Sequence, residues 1–132
     1  MSKSIKVLVV DDSRFAQRML TVALQNTCAA DWVFEYAATG LEAIKVLNHY
    51  EPGFDLVVTD VNMPELSGVG LLRYIRKDPR LNALPVIVVS SVGSGMALPD
   101  LARKGASVVL AKPITTPESM ARLAEVIGEL LE

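Results

Sequence analysis

The chain has few of the residues that build disulfide-rich or membrane-spanning proteins. Cys28 is the only cysteine among 132 residues, so no internal disulfide can form, which is typical of a reducing compartment. No apolar run approaches the roughly 20 residues that a membrane span requires. The apolar run at residues 7–10 is also too short for the core of a signal peptide. We therefore expect a cytoplasmic protein without a membrane span.

The sequence also has no large excess of charge of either sign. The net charge is −2 and charged residues make up 21% of the chain, so the sequence lacks the broadly basic character of nucleic-acid-binding domains. The one basic cluster is predicted to be a solvated helix face, and it consists of Arg73, Arg76, Lys77 and Arg80. We expect no direct contact with nucleic acid. With 51% hydrophobic residues, a chain of this length has room for one core, and we expect residues 1–132 to form a single domain.

Short apolar runs end in residues that carry charge or a hydroxyl group. The runs are rich in β-branched residues without polar alternation, which is typical of strands buried on both faces in a parallel sheet. Ligands of such sheets bind beyond the carboxyl ends of the strands. We therefore expect the residues that follow the runs to meet at one edge of the sheet. They are Asp11 and Asp12 after residues 7–10, Asp60 after 55–59, Ser90 after 86–89, and Lys112 with Pro113 after 107–111.

Helical periodicity alternates with these runs. An apolar stripe from Phe15 to Leu24 predicts a first helix, and Thr39 with Glu42 forms a capping-box pattern before a second helix with Leu41 on its apolar face. A second capping-box pattern starts at Thr115, before the last helix. Residues 32–38 are predicted to form a further strand. Strands that alternate with helices over short connections predict an α/β fold, a doubly wound parallel sheet with helices on both faces.

The acidic, hydroxyl and basic landmarks occur in a familiar order. Together with the Asn62-Met63-Pro64 sequence after Asp60, they resemble the receiver domain of two-component response regulators, and in size the chemotaxis type that stands alone. The resemblance extends from about Lys6 to the last helix. It implies five strands in the flavodoxin-like order 2-1-3-4-5. It also implies two kinds of partner, a sensor histidine kinase or phosphotransfer protein and a downstream protein target.

Clustered carboxylates explain the chemistry that the resemblance implies. Several carboxylates held close together repel one another and favour a bound cation, and Mg²⁺ prefers oxygen ligands. Asp12 and Asp60 are the expected direct ligands, while the resemblance implies that Asp11 acts through water and that the Asn62 carbonyl completes the shell. Asp60 is then the expected nucleophile, which forms an aspartyl phosphate.

Two further side chains are expected to act on the phosphoryl group. Lys112 would stabilise its charge and Ser90 would donate a hydrogen bond to it. The resemblance also implies a cis peptide bond before Pro113. Each pattern alone has an ordinary structural explanation, because an Asp-Asp pair after a strand can cap a helix and Lys-Pro can end a strand. Their joint occurrence favours the phosphoacceptor, and we expect no enzyme activity beyond its own phosphorylation and slow dephosphorylation.

The sequence departs from the chemotaxis type in the region expected to transmit the signal. Val109 occupies a position in the fifth strand that is often aromatic in that family, so a switch based on a rotating ring is not available. Gly93, Gly95 and Pro99 disfavour a full-length fourth helix, and we expect a long loop with a short helix that starts near Pro99. Phosphorylation is expected to act through the segment from Ser91 to Gly105.

Three alternatives remain open at the level of sequence. The first is a receiver module excised from a hybrid kinase or a longer regulator. The second is an adaptor of the same fold that works without phosphorylation. The third is a small phosphatase with an aspartate nucleophile. The intact acidic residues and Lys112 argue against the adaptor. The lack of a second aspartate two residues after Asp60 argues against the phosphatase.

Overall fold

A five-stranded parallel sheet lies at the centre of the protein, in a computed structural model that describes residues 4–50, 53–91 and 98–131. The strand order is β2-β1-β3-β4-β5, which confirms the predicted α/β fold and its order 2-1-3-4-5. The strands are β1 Ser4–Val10, β2 Asp31–Ala37, β3 Leu56–Asp60, β4 Val86–Ser90 and β5 Val108–Ala111. The helices are α1 Arg14–Gln25, α2 Gly40–His49, α3 Gly68–Lys77, α4 Leu98–Arg103 and α5 Pro117–Leu131.

Apolar side chains fill both faces of the sheet. Because side chains alternate along a strand, Val7 and Val9 of β1 pack with α1 and α5, whereas Leu8 and Val10 pack with α2 and α3. All residues of β3 and β4 are buried, as expected for strands covered by helices on both sides. In the described parts of the chain, no helix has the length and apolar character needed to cross a membrane.

Side-chain caps define where the helices begin. Ser13, Thr39 and Ser67 each precede a helix and accept a hydrogen bond from a backbone N–H of its first turn, which satisfies a donor that has no partner within the helix. The prediction that Thr115 caps the last helix is wrong by one residue. Thr116 accepts the N–H of Ser119 at 3.1 Å, because proline at the first helical position places the cap directly before it.

Two residues predicted to lie on buried helix faces are exposed. Phe15 is 73% exposed and Leu41 is 45% exposed, so both predictions are wrong. Each is the second residue of its helix, in a first turn that extends past the end of the preceding strand. An apolar side chain on a helix is buried only where another element packs against that turn. Leu20 and Leu24, further along α1, are buried as predicted.

The basic cluster is only partly a solvated face. Arg76 is half-buried, and its guanidinium group donates to the carbonyl oxygens of Gly105 at 2.8 Å and Leu84 at 2.7 Å. It donates further to the Asn82 carbonyl at 3.1 Å. Burial lowers the pKa of Arg76. The prediction of a solvated face is therefore wrong for this residue, which joins the end of α3 to the α3–β4 and α4–β5 loops.

The segment expected to respond to phosphorylation is described only in part. Helix α4 spans Leu98–Arg103, which confirms a short helix near Pro99. Gly93 and Gly95 lie outside the described residues. Val109 is half-buried against the core on the α2 and α3 side of the sheet. The role of residues 91–105 in a switch stays a prediction.

Candidate functional site

The carboxyl ends of four strands bring the predicted site residues to one edge of the sheet. Asp60 ends β3 beside Val89 of β4, and Ser90 ends β4. The backbone N–H of Lys112, directly after β5, donates to the Ser90 carbonyl at 2.9 Å. Asp11 follows β1, and its N–H donates to the Ala37 carbonyl of β2 at 3.0 Å. The parallel ladder therefore places residues that are up to 101 positions apart in the chain side by side.

Three carboxylates form an acidic cluster within this group. Oxygen atoms of Asp11, Asp12 and Asp60 all lie within 4.8 Å of one another. Asp11 is 1% exposed and Asp60 is 8% exposed, while Asp12 is open to solvent. Like charges at this spacing repel, so the cluster favours a bound cation or a protonated member.

Lys112 is the cation that the fold itself supplies. Its ammonium group lies 3.2 Å from Asp11 Oδ2 and 3.3 Å from Asp60 Oδ1. Burial alone would lower the pKa of Lys112, but the charges of Asp11 and Asp60 outweigh this effect and raise it. The ammonium is therefore charged at neutral pH and balances one of the three carboxylates.

The carboxyl group of Asp60 is harder to ionise than an ordinary aspartate. Burial raises its pKa, and the neighbouring Asp11 adds to that effect, whereas Lys112 and the N–H of Val61 oppose it. The net result is a raised pKa. A second cation beside Asp60 would favour its ionised form.

The acidic cluster fits Mg²⁺ by the chemistry of its donors. Mg²⁺ takes oxygen ligands, typically one or two carboxylates completed by water and phosphate oxygens. Both carboxylate oxygens of Asp11 are engaged, because Oδ1 accepts the N–H of Ser13 at 2.9 Å and Oδ2 faces Lys112. Asp12 makes no hydrogen bond or ion pair with any residue that the structure describes. Asp12 therefore has oxygens to offer a metal, and oxygens of Asp11 and Asp60 lie within 4.8 Å of one of them.

The remaining predicted site residues surround the cluster. Asn62 is exposed in the loop after β3. Ser90 is buried, and its hydroxyl donates to the Ser91 carbonyl at 3.4 Å. The peptide bond between Lys112 and Pro113 is cis. The structure thus gathers every predicted site residue at one edge of the sheet.

The loop between β3 and α3 is tightly folded against the site. A Cβ atom at Gly68 would lie 2.2 Å from the carbonyl oxygen of Asp60, so only glycine fits this close approach. The N–H of Gly68 donates to the Val61 carbonyl at 2.8 Å. Glu65 adopts a left-handed backbone with φ of 67°, which is strained for a residue other than glycine. Leu66 accepts the N–H of Gly40 at 3.1 Å, which joins this loop to α2.

Sequence analysis missed two features beside the cluster. The sequence patterns do not indicate Gln17 as a site residue, yet its side-chain amide donates to the Asp11 carbonyl at 2.8 Å. Phe15 was assigned to the core, but it lines an open apolar groove of about 290 Å³ together with Met19, Pro113 and the stem of Lys112. Gln17 could have been noticed in the sequence as a polar residue inside an amphipathic helix, one turn after its N-cap.

Comparisons with known proteins agree with this geometry. Residues 7–124 match the response regulator receiver domain family. The chain is 32% identical to the probable chemotaxis protein CheY of Rhizobium etli, over 98% of this chain and 97% of that protein. The solved structure of the chemotaxis response regulator CheY4 of Vibrio cholerae is similar with a TM-score of 0.75 and 28% identity, over 94% of this chain and 99% of that one. The chain also matches 30% of a longer protein-glutamate methylesterase/protein-glutamine glutaminase of Paramagnetospirillum magneticum, with 38% identity over 85% of this chain.

Proposed function

Because the chain belongs to the response regulator receiver domain family, we propose that it accepts a phosphoryl group on Asp60 from a histidine kinase or phosphotransfer protein. One observation carries the proposal above all. Three carboxylates lie within 4.8 Å of one another, with the ammonium of Lys112 at 3.3 Å from Asp60. This arrangement combines a nucleophile, a candidate metal site and a cation for the transferred group.

The chemical step is a displacement at phosphorus. An Asp60 carboxylate oxygen forms the new bond to phosphorus while the bond between phosphorus and the donor nitrogen breaks, and the electron pair leaves with that nitrogen. Asp60 attacks only in its ionised form. A cation that counters its raised pKa therefore increases the fraction of Asp60 that is a nucleophilic carboxylate. Mg²⁺ held by Asp12 and Asp60 would neutralise charge on the phosphoryl oxygens. The Asn62 carbonyl would complete the metal shell, and Asp11 would act through water.

Lys112 and Ser90 would act on the product. Before transfer, Lys112 faces Asp11 and Asp60. Phosphorylation turns one Asp60 oxygen into the bridging oxygen of an acyl phosphate, and the phosphoryl group, with a charge of about −1.5 to −2, offers Lys112 a stronger partner. Ser90, at the end of the neighbouring strand, would donate a hydrogen bond to the same group. The resulting movement of Lys112 and Ser90 would change a surface that engages a downstream protein target.

The groove beside Lys112 supports a protein donor. Phe15 is 73% exposed, and the groove that it lines continues directly to Lys112. A protein that presents a phosphohistidine to Asp60 would pass over this surface and bury it. A small donor such as acetyl phosphate would not need the groove.

Intact-mass spectrometry tests the assignment of Asp60. Wild type incubated with acetyl phosphate and Mg²⁺ should gain one phosphoryl group, and Asp60→Asn should gain none because an amide is not a nucleophile. Asp31→Asn is the matched control, since Asp31 is exposed on β2, away from the cluster. A phosphoryl group that still accumulates on Asp60→Asn would contradict the proposal.

A further inference from the structure

Gln17 lies where β1 and β2 end, one turn into α1. Its Nε2 atom donates to the Asp11 carbonyl at 2.8 Å and, at the longer distance of 3.5 Å, to the Ala37 carbonyl. Register between the two strands ends at Val10 and Ala37, so Asp11 lies beyond the last paired residue of β1. The side chain of Gln17 thus replaces a ladder contact where the ladder stops.

The Asp11 carbonyl needs such a donor. Asp11 is 1% exposed, and a buried backbone carbonyl without a partner costs free energy. With Gln17 in place, all four polar groups of Asp11 are held: the N–H by Ala37, the carbonyl by Gln17, and the two carboxylate oxygens by Ser13 and Lys112. The peptide plane that joins Asp11 to Asp12 therefore has a fixed orientation.

That orientation matters most for Asp12. Its carboxylate is exposed and makes no hydrogen bond or ion pair within the described residues, so the backbone sets the direction of its Cα–Cβ bond and no side-chain partner adds to that restraint. We propose that Gln17 is a positioning residue for the acidic cluster, which holds the Asp11–Asp12 peptide so that Asp12 faces the cation. This inference rests on the proposed function, because it assumes that the cluster binds Mg²⁺. Preorganised ligands bind a metal more tightly than ligands that must first be ordered.

A titration with Mg²⁺ alone tests the inference on the full chain. Gln17→Met keeps the length of the side chain and its helix propensity but removes the donor. We expect its dissociation constant for Mg²⁺, measured by calorimetry, to rise about fivefold, which corresponds to one hydrogen bond of ordinary strength. Gln25→Met is the matched control, since Gln25 is the exposed last residue of the same helix, and its dissociation constant should equal that of wild type.

Two further measurements separate positioning from a general loss of stability. Gln17→Arg supplies N–H donors again and should restore Mg²⁺ affinity at high ionic strength, where its added charge is screened. The thermal unfolding midpoint of each variant is recorded in parallel. Unchanged Mg²⁺ affinity in Gln17→Met overturns the inference, whether or not the midpoint falls, and leaves phosphorylation of Asp60 untouched. If wild type itself binds no Mg²⁺, both this inference and the metal dependence of the proposed function fail.

Discussion

Replacing Asp60 with asparagine should stabilise the protein in the absence of metal. At an effective dielectric constant of about 20, repulsion from Asp11 at up to 4.8 Å amounts to about 3.5 kcal/mol. Attraction to Lys112 at 3.3 Å amounts to about 5 kcal/mol. Solvent screens the exposed Asp12 and reduces its repulsion to about 1 kcal/mol. The Coulomb energies thus nearly cancel.

The cost of burying the charge then decides the sign. Asp60 is 8% exposed, and burial is the largest cause of its raised pKa. Asparagine has the same shape and avoids the desolvation of a charge, although its amide must also be accommodated. We expect a gain of about 1–2 kcal/mol in the free energy of unfolding at pH 7. This corresponds to a rise of about 4–8 °C in the melting temperature of a domain of this size.

The dependence on pH gives the prediction a sharper form. Because the pKa of Asp60 is higher in the folded state than the ordinary value of 3.8, folding favours the protonated carboxyl. Wild type should therefore lose stability as the pH rises from about 4 through the folded pKa. The asparagine side chain of Asp60→Asn does not titrate. Its gain in the free energy of unfolding over wild type should therefore be small below pH 4 and reach its full value above the folded pKa of Asp60.

Urea unfolding in EDTA, followed by circular dichroism from pH 3 to pH 8, measures this difference. Asp31→Asn, in which an exposed carboxylate is removed, should match wild type throughout. With saturating Mg²⁺ the gain should shrink, because the metal binds the folded wild type and stabilises it. If Asp60→Asn is no more stable than wild type at pH 7 in EDTA, burial of the Asp60 charge does not dominate and the reasoning is refuted.

Three further outcomes are expected. Arg76→Met should lower the free energy of unfolding by about 2–4 kcal/mol, because three backbone carbonyls lose a charged donor. Arg73→Met, at an exposed position of the same helix, should change the free energy of unfolding little. Equal urea midpoints for the two variants would contradict the structural role of Arg76. Glu65→Gly should raise the free energy of unfolding by about 0.5–1 kcal/mol in the same assay, since the left-handed backbone costs about 1–2 kcal/mol for a residue other than glycine. A lower free energy of unfolding would show that Glu65 is not strained. Phe15→Ala should slow phosphorylation by a protein donor about tenfold, which corresponds to about 1.4 kcal/mol, and leave the rate with acetyl phosphate unchanged; equal slowing with both donors would exclude a docking role.

Local patterns in the sequence were sufficient to predict the strands and the edge of the sheet at which the acidic residues meet. Runs such as residues 86–89 have no polar alternation, and such runs are typical of strands covered on both faces. Once the strands are parallel, the residue after each run must lie at the same edge. The gathering of Asp11, Asp60 and Lys112 could therefore be predicted without coordinates, although the chemical roles of these residues stay predictions.

Periodicity was less reliable at the ends of helices. It assigned Phe15 to a buried stripe, because a helical pattern records which face a residue occupies and not whether anything lies beneath that turn. The cap of α5 was misplaced by one residue for a related reason, since Thr115 and Thr116 both suit a cap. The position of Pro117 at the start of the helix decides between them.

What the sequence determined by itself is the fold class, the strand order through its family resemblance, and the meeting of Asp11, Asp60 and Lys112 at one edge of the sheet, because these depend on short-range patterns and on the geometry of parallel strands. Tertiary structure alone decided the partners of the polar side chains. Arg76 reaches Gly105, which is 29 residues away in the chain, and Gln17 reaches a carbonyl at the end of a strand. Long polar side chains have several possible acceptors within reach, and only the packing of loops against helices brings one of them to hydrogen-bonding distance.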